Sequence, residues 1–173
     1  HPLNRRQRQM CIRDRLDSID VNSLKDWIAN GGTLISVQSA SSWVVEDSLT
    51  DEHLLENNEL DFDIPYDQIR NVSGAQRIGG AIFNVELDNT HPVAYGYGKT
   101  HPIFRRGTAF FKLSDAPAAN VGRYTSSPLI SGYISEEKLD EMKNTASIIS
   151  KKQDSGRIIM FADNPAFRAF WYG

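Results

Sequence analysis

Apolar positions along this chain switch between a helical period and short strand-like runs, and the switches mark its elements. Leu24, Trp27 and Ile28 share one face of a helix that Asn22 or Ser23 can cap and that Gly31-Gly32 ends. Thr33-Leu-Ile-Ser-Val37 follows as a strand, and residues 38–42 turn into a short helix carrying Trp43, Val44 and Val45. From Leu49 to Gly80 the pattern fades into a polar, acidic stretch with Asn57-Asn58, Pro65 and Gly74, which reads as a long surface insertion. Strands are then predicted at 81–87, 92–97, 108–113 and 120–125, separated by the turn residues Asp88-Asn89, Gly98, Gly107 and Pro117. Ser135 caps the longest predicted helix. Glu136 and Glu137 sit in its positive first turn, Leu139, Met142, Ala146 and Ile149 lie along one face, and Lys151 and Lys152 suit its negative end.

The last eighteen residues, from Gly156, begin with the continuous apolar run Ile158-Ile-Met-Phe-Ala162, expected of an interior, parallel strand covered on both faces. Asp163-Asn164-Pro165 ends it. Asn164 can cap a new helix, Pro165 suits its first position, and Phe167, Phe170 and Trp171 recur at helical spacing. Three large aromatics on so short a helix would be exposed, so the expectation is a domain incomplete at its C-terminal end. Helix, strand, helix at both ends predicts an open, mostly parallel α/β sheet with helices on both faces and an added strand-rich middle section.

Charge sharpens the domain limits. Residues 1–15 contain Arg5, Arg6, Arg8, Arg13 and Arg15, and Met10-Cys-Ile-Arg-Asp-Arg15 resembles translated sequencing-adapter sequence, so this arm is set aside as non-native or disordered. The single domain expected over 16–173 then keeps 14 basic and 21 acidic residues, a net charge of −7. Such a body repels phosphate backbones, so neither nucleic acid nor an anionic membrane surface is an expected partner. The only cysteine, Cys11, lies in the arm, leaving the domain without a disulfide, a thiol nucleophile or a cysteine metal ligand.

Four phrases carry a resemblance: Asn30-Gly-Gly-Thr-Leu-Ile-Ser36, Val85-Glu-Leu-Asp-Asn-Thr-His-Pro-Val-Ala-Tyr-Gly96, Leu129-Ile-Ser-Gly-Tyr-Ile-Ser135 and Phe161-Ala-Asp-Asn-Pro-Ala-Phe-Arg-Ala-Phe-Trp-Tyr-Gly173. They resemble the C-terminal region of large bacterial zinc carboxypeptidases of the carboxypeptidase A-like peptidase family. That resemblance implies a class I glutamine amidotransferase-like, flavodoxin-like accessory domain behind a peptidase domain. It implies a parent that removes C-terminal residues from peptides in the periplasm or outside the cell. The parent's own peptidase domain, and peptide substrate, are the implied partners, with zinc in that domain and no cofactor in this chain.

The chemistry of those families tests the residues themselves. His53-Leu-Leu-Glu56 has the His-x-x-Glu spacing of a zinc site, but it lies in the acidic stretch and only His91 and His101 follow it. No metal ligand is therefore assigned. An amidotransferase places a cysteine on a sharp strand-to-helix turn. Here that turn offers Gln38, or Ser39 if the register moves by one, and Ser39 lacks the flanking glycines of a Gly-x-Ser-x-Gly elbow. No catalytic residue is assigned either. Gln38, Ser39, Asp163, Asn164 and Arg168 remain as a candidate ligand-binding set at the C-terminal ends of two strands, where open α/β sheets bind ligands. A free-standing ligand-binding protein and a hydrolase using Ser39 are the competing readings.

Overall fold

The structure is a computed structural model that describes residues 18–55, 77–107 and 109–165. Its frame is one six-stranded sheet with β1 at Thr33–Val37, β2 at Ile78–Leu87, β3 at Thr100–Gly107, β4 at Asn120–Gly132, β5 at Ala146–Gln153 and β6 at Gly156–Phe161. The strand order is β1-β6-β5-β4-β2-β3. Only β1 and β6 are parallel; β5 with β6, β4 with β5, β2 with β4 and β2 with β3 all pair antiparallel. The expected open, mostly parallel, flavodoxin-like α/β sheet is thus incorrect. The sheet is mixed, strand-rich and curled into a half-barrel.

One segment accounts for most of the difference. Residues 146–153 are strand rather than the second half of a long helix, which stops at Met142. Ala146 to Ser150 are buried without a break. A strand covered on both faces and a buried helix look alike in such a run, and the spacing of Met142, Ala146 and Ile149 satisfies both. Asp154, with φ of 51°, then turns the chain so that Gln153 pairs with Gly156 and β5 and β6 close as a hairpin. Antiparallel return replaces the helical crossover that a parallel neighbour needs.

Three helices complete the described chain: α1 at Ser18–Ala29, α2 at Ser39–Glu46 and α3 at Glu136–Met142. Helix α1 ends in a glycine-assisted cap in which the Gly32 N–H donates to the Trp27 carbonyl at 3.0 Å while Gly31 takes φ of 108°. The start of β6 lies so close to that cap that a Cβ on Gly156 would stand 2.0 Å from the Ile28 carbonyl oxygen. Only hydrogen fits there. Ser135 caps α3 as expected, its hydroxyl accepting from the Lys138 N–H.

Two apolar clusters fill the molecule. Phe83, Val85, Ile103, Phe110, Tyr124 and Met142 belong to one, and Ile28, Val44, Leu49, Phe111, Ile149, Ile158 and Met160 to the other. Helices α1 and α2 contribute Ile28 and Val44 to the second. Two further strand expectations change. Pro92–Ala94 is a 3-10 turn; of 109–113, with 108 outside the described residues, only Phe111 makes bridge pairs, to Leu54 and Ala146, while the strand lies earlier, at β3. Within the stretch 49–80, Leu49, Thr50 and Glu52 are buried, and 56–76 lie outside the described residues. Among the described residues no helix is long and apolar enough to cross a membrane.

Candidate functional site

Strands β1 and β6 run side by side with Val37 opposite Phe161, so the turns leaving their C-terminal ends are neighbours. Leaving β1, Gln38 has φ of 54° and ψ of −120°, a backbone conformation that side chains other than glycine's rarely adopt. The strain is held from both sides. The Gln38 N–H donates to the Phe161 carbonyl at 2.8 Å, and the Gln38 carbonyl accepts from the N–H groups of Ser41 and Ser42 at 2.9 and 3.2 Å as the first turn of α2. Ser41 is fully buried beneath the turn, its hydroxyl within 3.0 Å of the Ser36 hydroxyl and donating to the Phe161 carbonyl at 3.1 Å. This is a strand-to-helix elbow of the kind that lifts a nucleophile above a sheet. The residue at its apex is a glutamine.

Ser39 is exposed at the first position of α2. The two later histidines are built into other places. His91 accepts the Val93 N–H on Nδ1 at 3.1 Å, and its Nε2 lies 3.5 Å from Arg157, which pairs with Thr33 at the opposite end of β1. Four strand residues, roughly 13 Å, separate that end from Val37. His101 pairs with Val85 on β2, across the sheet, and stacks edge-on against Tyr97 with ring centroids 5.1 Å apart. Burial lowers both imidazoles below their usual range, aided at His91 by the Arg157 charge. Neither histidine meets Ser39. His53 is exposed, and Glu56 lies outside the described residues.

Asp163 has a different role from its neighbours in the candidate set. It is completely buried, and its carboxylate accepts from Tyr124 Oη at 2.6 and 2.7 Å, from Ser147 Oγ at 2.6 Å and from Arg105 Nη1 at 3.1 Å. Arg105 is 1 % exposed. Its Nη1 also donates to Tyr124 Oη at 2.8 Å, its Nη2 donates to the Ala109 carbonyl, and its guanidinium lies 4.5 Å from the Phe110 ring centre. Burial pushes the Tyr124 hydroxyl well above its ordinary value, against the pull of the Arg105 charge, so the phenol stays protonated and donates.

This cluster explains the curl of the sheet. Arg105 is on β3, the far edge, and four strand spacings separate β3 from β6, roughly 19 Å if the sheet were flat. A direct contact at 3.1 Å requires the sheet to roll until its two sides meet through the interior. Arg105, Tyr124 and Ser147 were not singled out by sequence reasoning. Strand alternation from Ile103 does place Arg105 inward, which is the signal that was there.

The candidate set is therefore only partly assembled. Gln38 and Ser39 stand at the elbow, Asp163 is consumed in the interior, Asn164 is half-buried at the start of the exit turn, and Arg168 lies outside the described residues. Among the described residues no group of three histidine, cysteine or acidic side chains is arranged to hold a metal ion. No family model, curated protein or solved structure matches the chain.

Proposed function

We propose that the chain is a noncatalytic accessory domain of a zinc carboxypeptidase, standing beside the peptidase domain of its parent in the periplasm or outside the cell. The observation that carries the noncatalytic part is the elbow. A strained strand-to-helix turn is in place, held by the Phe161 carbonyl and capped by α2, yet it presents the side-chain amide of Gln38, which has no nucleophilic lone pair to offer an acyl group. Asp163, the buried acid just past the end of β6, is tied up by Arg105, Tyr124 and Ser147 and so is withheld from proton transfer. The carboxypeptidase part is supported by the four sequence phrases, the longest of which spans Phe161 to Gly173. In this reading the elbow is a packing device that joins β1, β6 and α2, and the zinc chemistry belongs to the parent's peptidase domain.

Three measurements test the reading. The purified chain is expected to carry no stoichiometric zinc and to leave the C-terminal residue of a reporter peptide in place; metal content near one per chain, or release of that residue, would overturn it. The gene tests parentage. Coding sequence joined in frame upstream and holding a complete His-x-x-Glu and later His set is the expected result. A natural start codon near residue 16 with no such frame refutes the parentage.

A further inference from the structure

A groove of about 280 Å³ opens beside the end of β2, away from the elbow, between that strand, the start of β4 and the loop that precedes it. Part of its lining is apolar: Leu113, 39 % exposed, with Pro117 and the buried Leu87. Other lining residues are charged. Glu86 and Arg123 are cross-strand partners, with Arg123 Nε donating to Glu86 Oε2 at 3.2 Å and Nη2 in ionic contact with the same oxygen at 3.0 Å, and Lys99 stands 3.6 Å from the other Glu86 oxygen. Glu86 thus has two cations. Asp88, two residues further along the chain, is exposed and makes no ion pair with a lysine or arginine among the described residues; its charged neighbour is the His91 imidazole.

Asp88 Oδ1 accepts from the N–H and hydroxyl of Thr90 at 3.0 and 2.6 Å, which fixes the carboxylate, and the His91 backbone N–H and imidazole act on it more weakly. The same Thr90 bonds hold its carboxyl below the usual carboxylate range, so it is charged at neutral pH. Arg123 uses Nε and Nη2 on Glu86 and keeps Nη1. An exposed carboxylate without a lysine or arginine partner, a spare guanidinium edge and exposed apolar side chains thus line one groove, whose volume is just below the range of drug-sized ligand sites.

We propose that this groove binds a free apolar α-amino acid as its zwitterion, the ammonium on Asp88, the carboxylate on Arg123 and the side chain against Leu113 and Pro117. The assignment goes beyond the accessory role and does not depend on it. Ionised groups recognise each other through short, charge-assisted hydrogen bonds, and an aliphatic side chain laid on Leu113 removes apolar surface from water. A ligand lacking either charge leaves Asp88 or Arg123 without its partner.

Titrating the whole isotope-labelled chain with L-leucine, followed by two-dimensional NMR of the backbone amides, tests this. Leucine is expected to bind with a Kd of about 1 mM, in line with a ligand of so few atoms. Shifts should centre on residues 86–88, 113–117 and 120–123. N-acetyl-leucine and leucinamide should each bind at least roughly tenfold more weakly, the scale of one lost charged hydrogen bond. Asp88→Asn, which keeps the acceptor for Thr90, should weaken leucine by a similar factor and leave N-acetyl-leucine unchanged. Leu113→Ser, at an exposed position, should weaken leucine but not glycine. Leucinamide binding as well as leucine would mean a site for cations alone and would overturn the proposal. So would shifts elsewhere, indifference to Asp88→Asn, or no shifts at tens of millimolar.

Discussion

Removing the Asp163 carboxylate tests how the half-barrel is closed. In Asp163→Ala the guanidinium of Arg105, 1 % exposed, loses its counter-ion in the interior, and Ser147 and Tyr124 lose the acceptor of their hydroxyl groups. Breaking a buried pair from one side costs about 3 to 5 kcal/mol, because the charge left behind is uncompensated. Each buried hydroxyl without an acceptor adds up to about 1 to 3 kcal/mol, reduced here because Tyr124 still accepts from Arg105. A net loss of about 4 kcal/mol is expected, a large part of the roughly 5 to 15 kcal/mol that holds a domain together. Urea denaturation followed by circular dichroism should show the midpoint falling with little change in slope. Thermal unfolding should move down by about 8 to 16 °C. The decisive companion is Arg105→Met with Asp163→Leu, which removes both charges and leaves apolar groups in their place. It should lose less than either single substitution, since neither charge remains stranded. A loss below about 1 kcal/mol in Asp163→Ala, or a double variant that loses the sum of the two singles, would refute the buried-pair account of the curl.

Three further outcomes follow from local geometry. Gln38→Gly relieves the strained φ of 54° at the elbow and should raise stability by about 1 kcal/mol in the same urea assay, after allowance for the freer unfolded chain; a loss would mean that the glutamine side chain contributes more than the strain costs. Gly156→Ala forces a methyl to within 2.0 Å of the Ile28 carbonyl oxygen and 2.4 Å of the Gly32 carbonyl oxygen, both backbone, so it should cost more than about 3 kcal/mol or prevent folding, and a normal melting curve would contradict the contact. The two histidines make stability depend on pH. Their folded values lie below that of an ordinary imidazole, chiefly through burial, so the folded state binds fewer protons than the unfolded chain. Their contribution is complete above about pH 6.5 and is lost as pH falls through the folded values. Denaturation midpoints should therefore decline from pH 7 towards 5, and His91→Asn with His101→Asn should flatten that part of the profile.

Local chemistry alone was enough for several elements. The turn glycines after α1, the strand Thr33–Val37, the short helix carrying Trp43 to Val45, the Ser135 cap and the apolar run of β6 all stand where the pattern of residues puts them. Each depends on neighbours a few positions away, which a sequence displays directly. The elbow between β1 and α2 was legible for the same reason, to within the one-residue choice between Gln38 and Ser39 that the structure decides for Gln38. What the sequence left undecided depended on partners distant along the chain. Residues 146–153 suit a helix face and a buried strand equally, and only pairing with β4 on one side and β6 on the other selects the strand. That single choice turns a parallel α/β layer into a curled mixed sheet. Asp163 reads as a ligand contact at a strand end, because its true partner, Arg105, is 58 residues earlier on the far edge strand. A charged side chain reads as surface until the fold supplies an opposite charge to bury with it, and here the rolled sheet brings the two together.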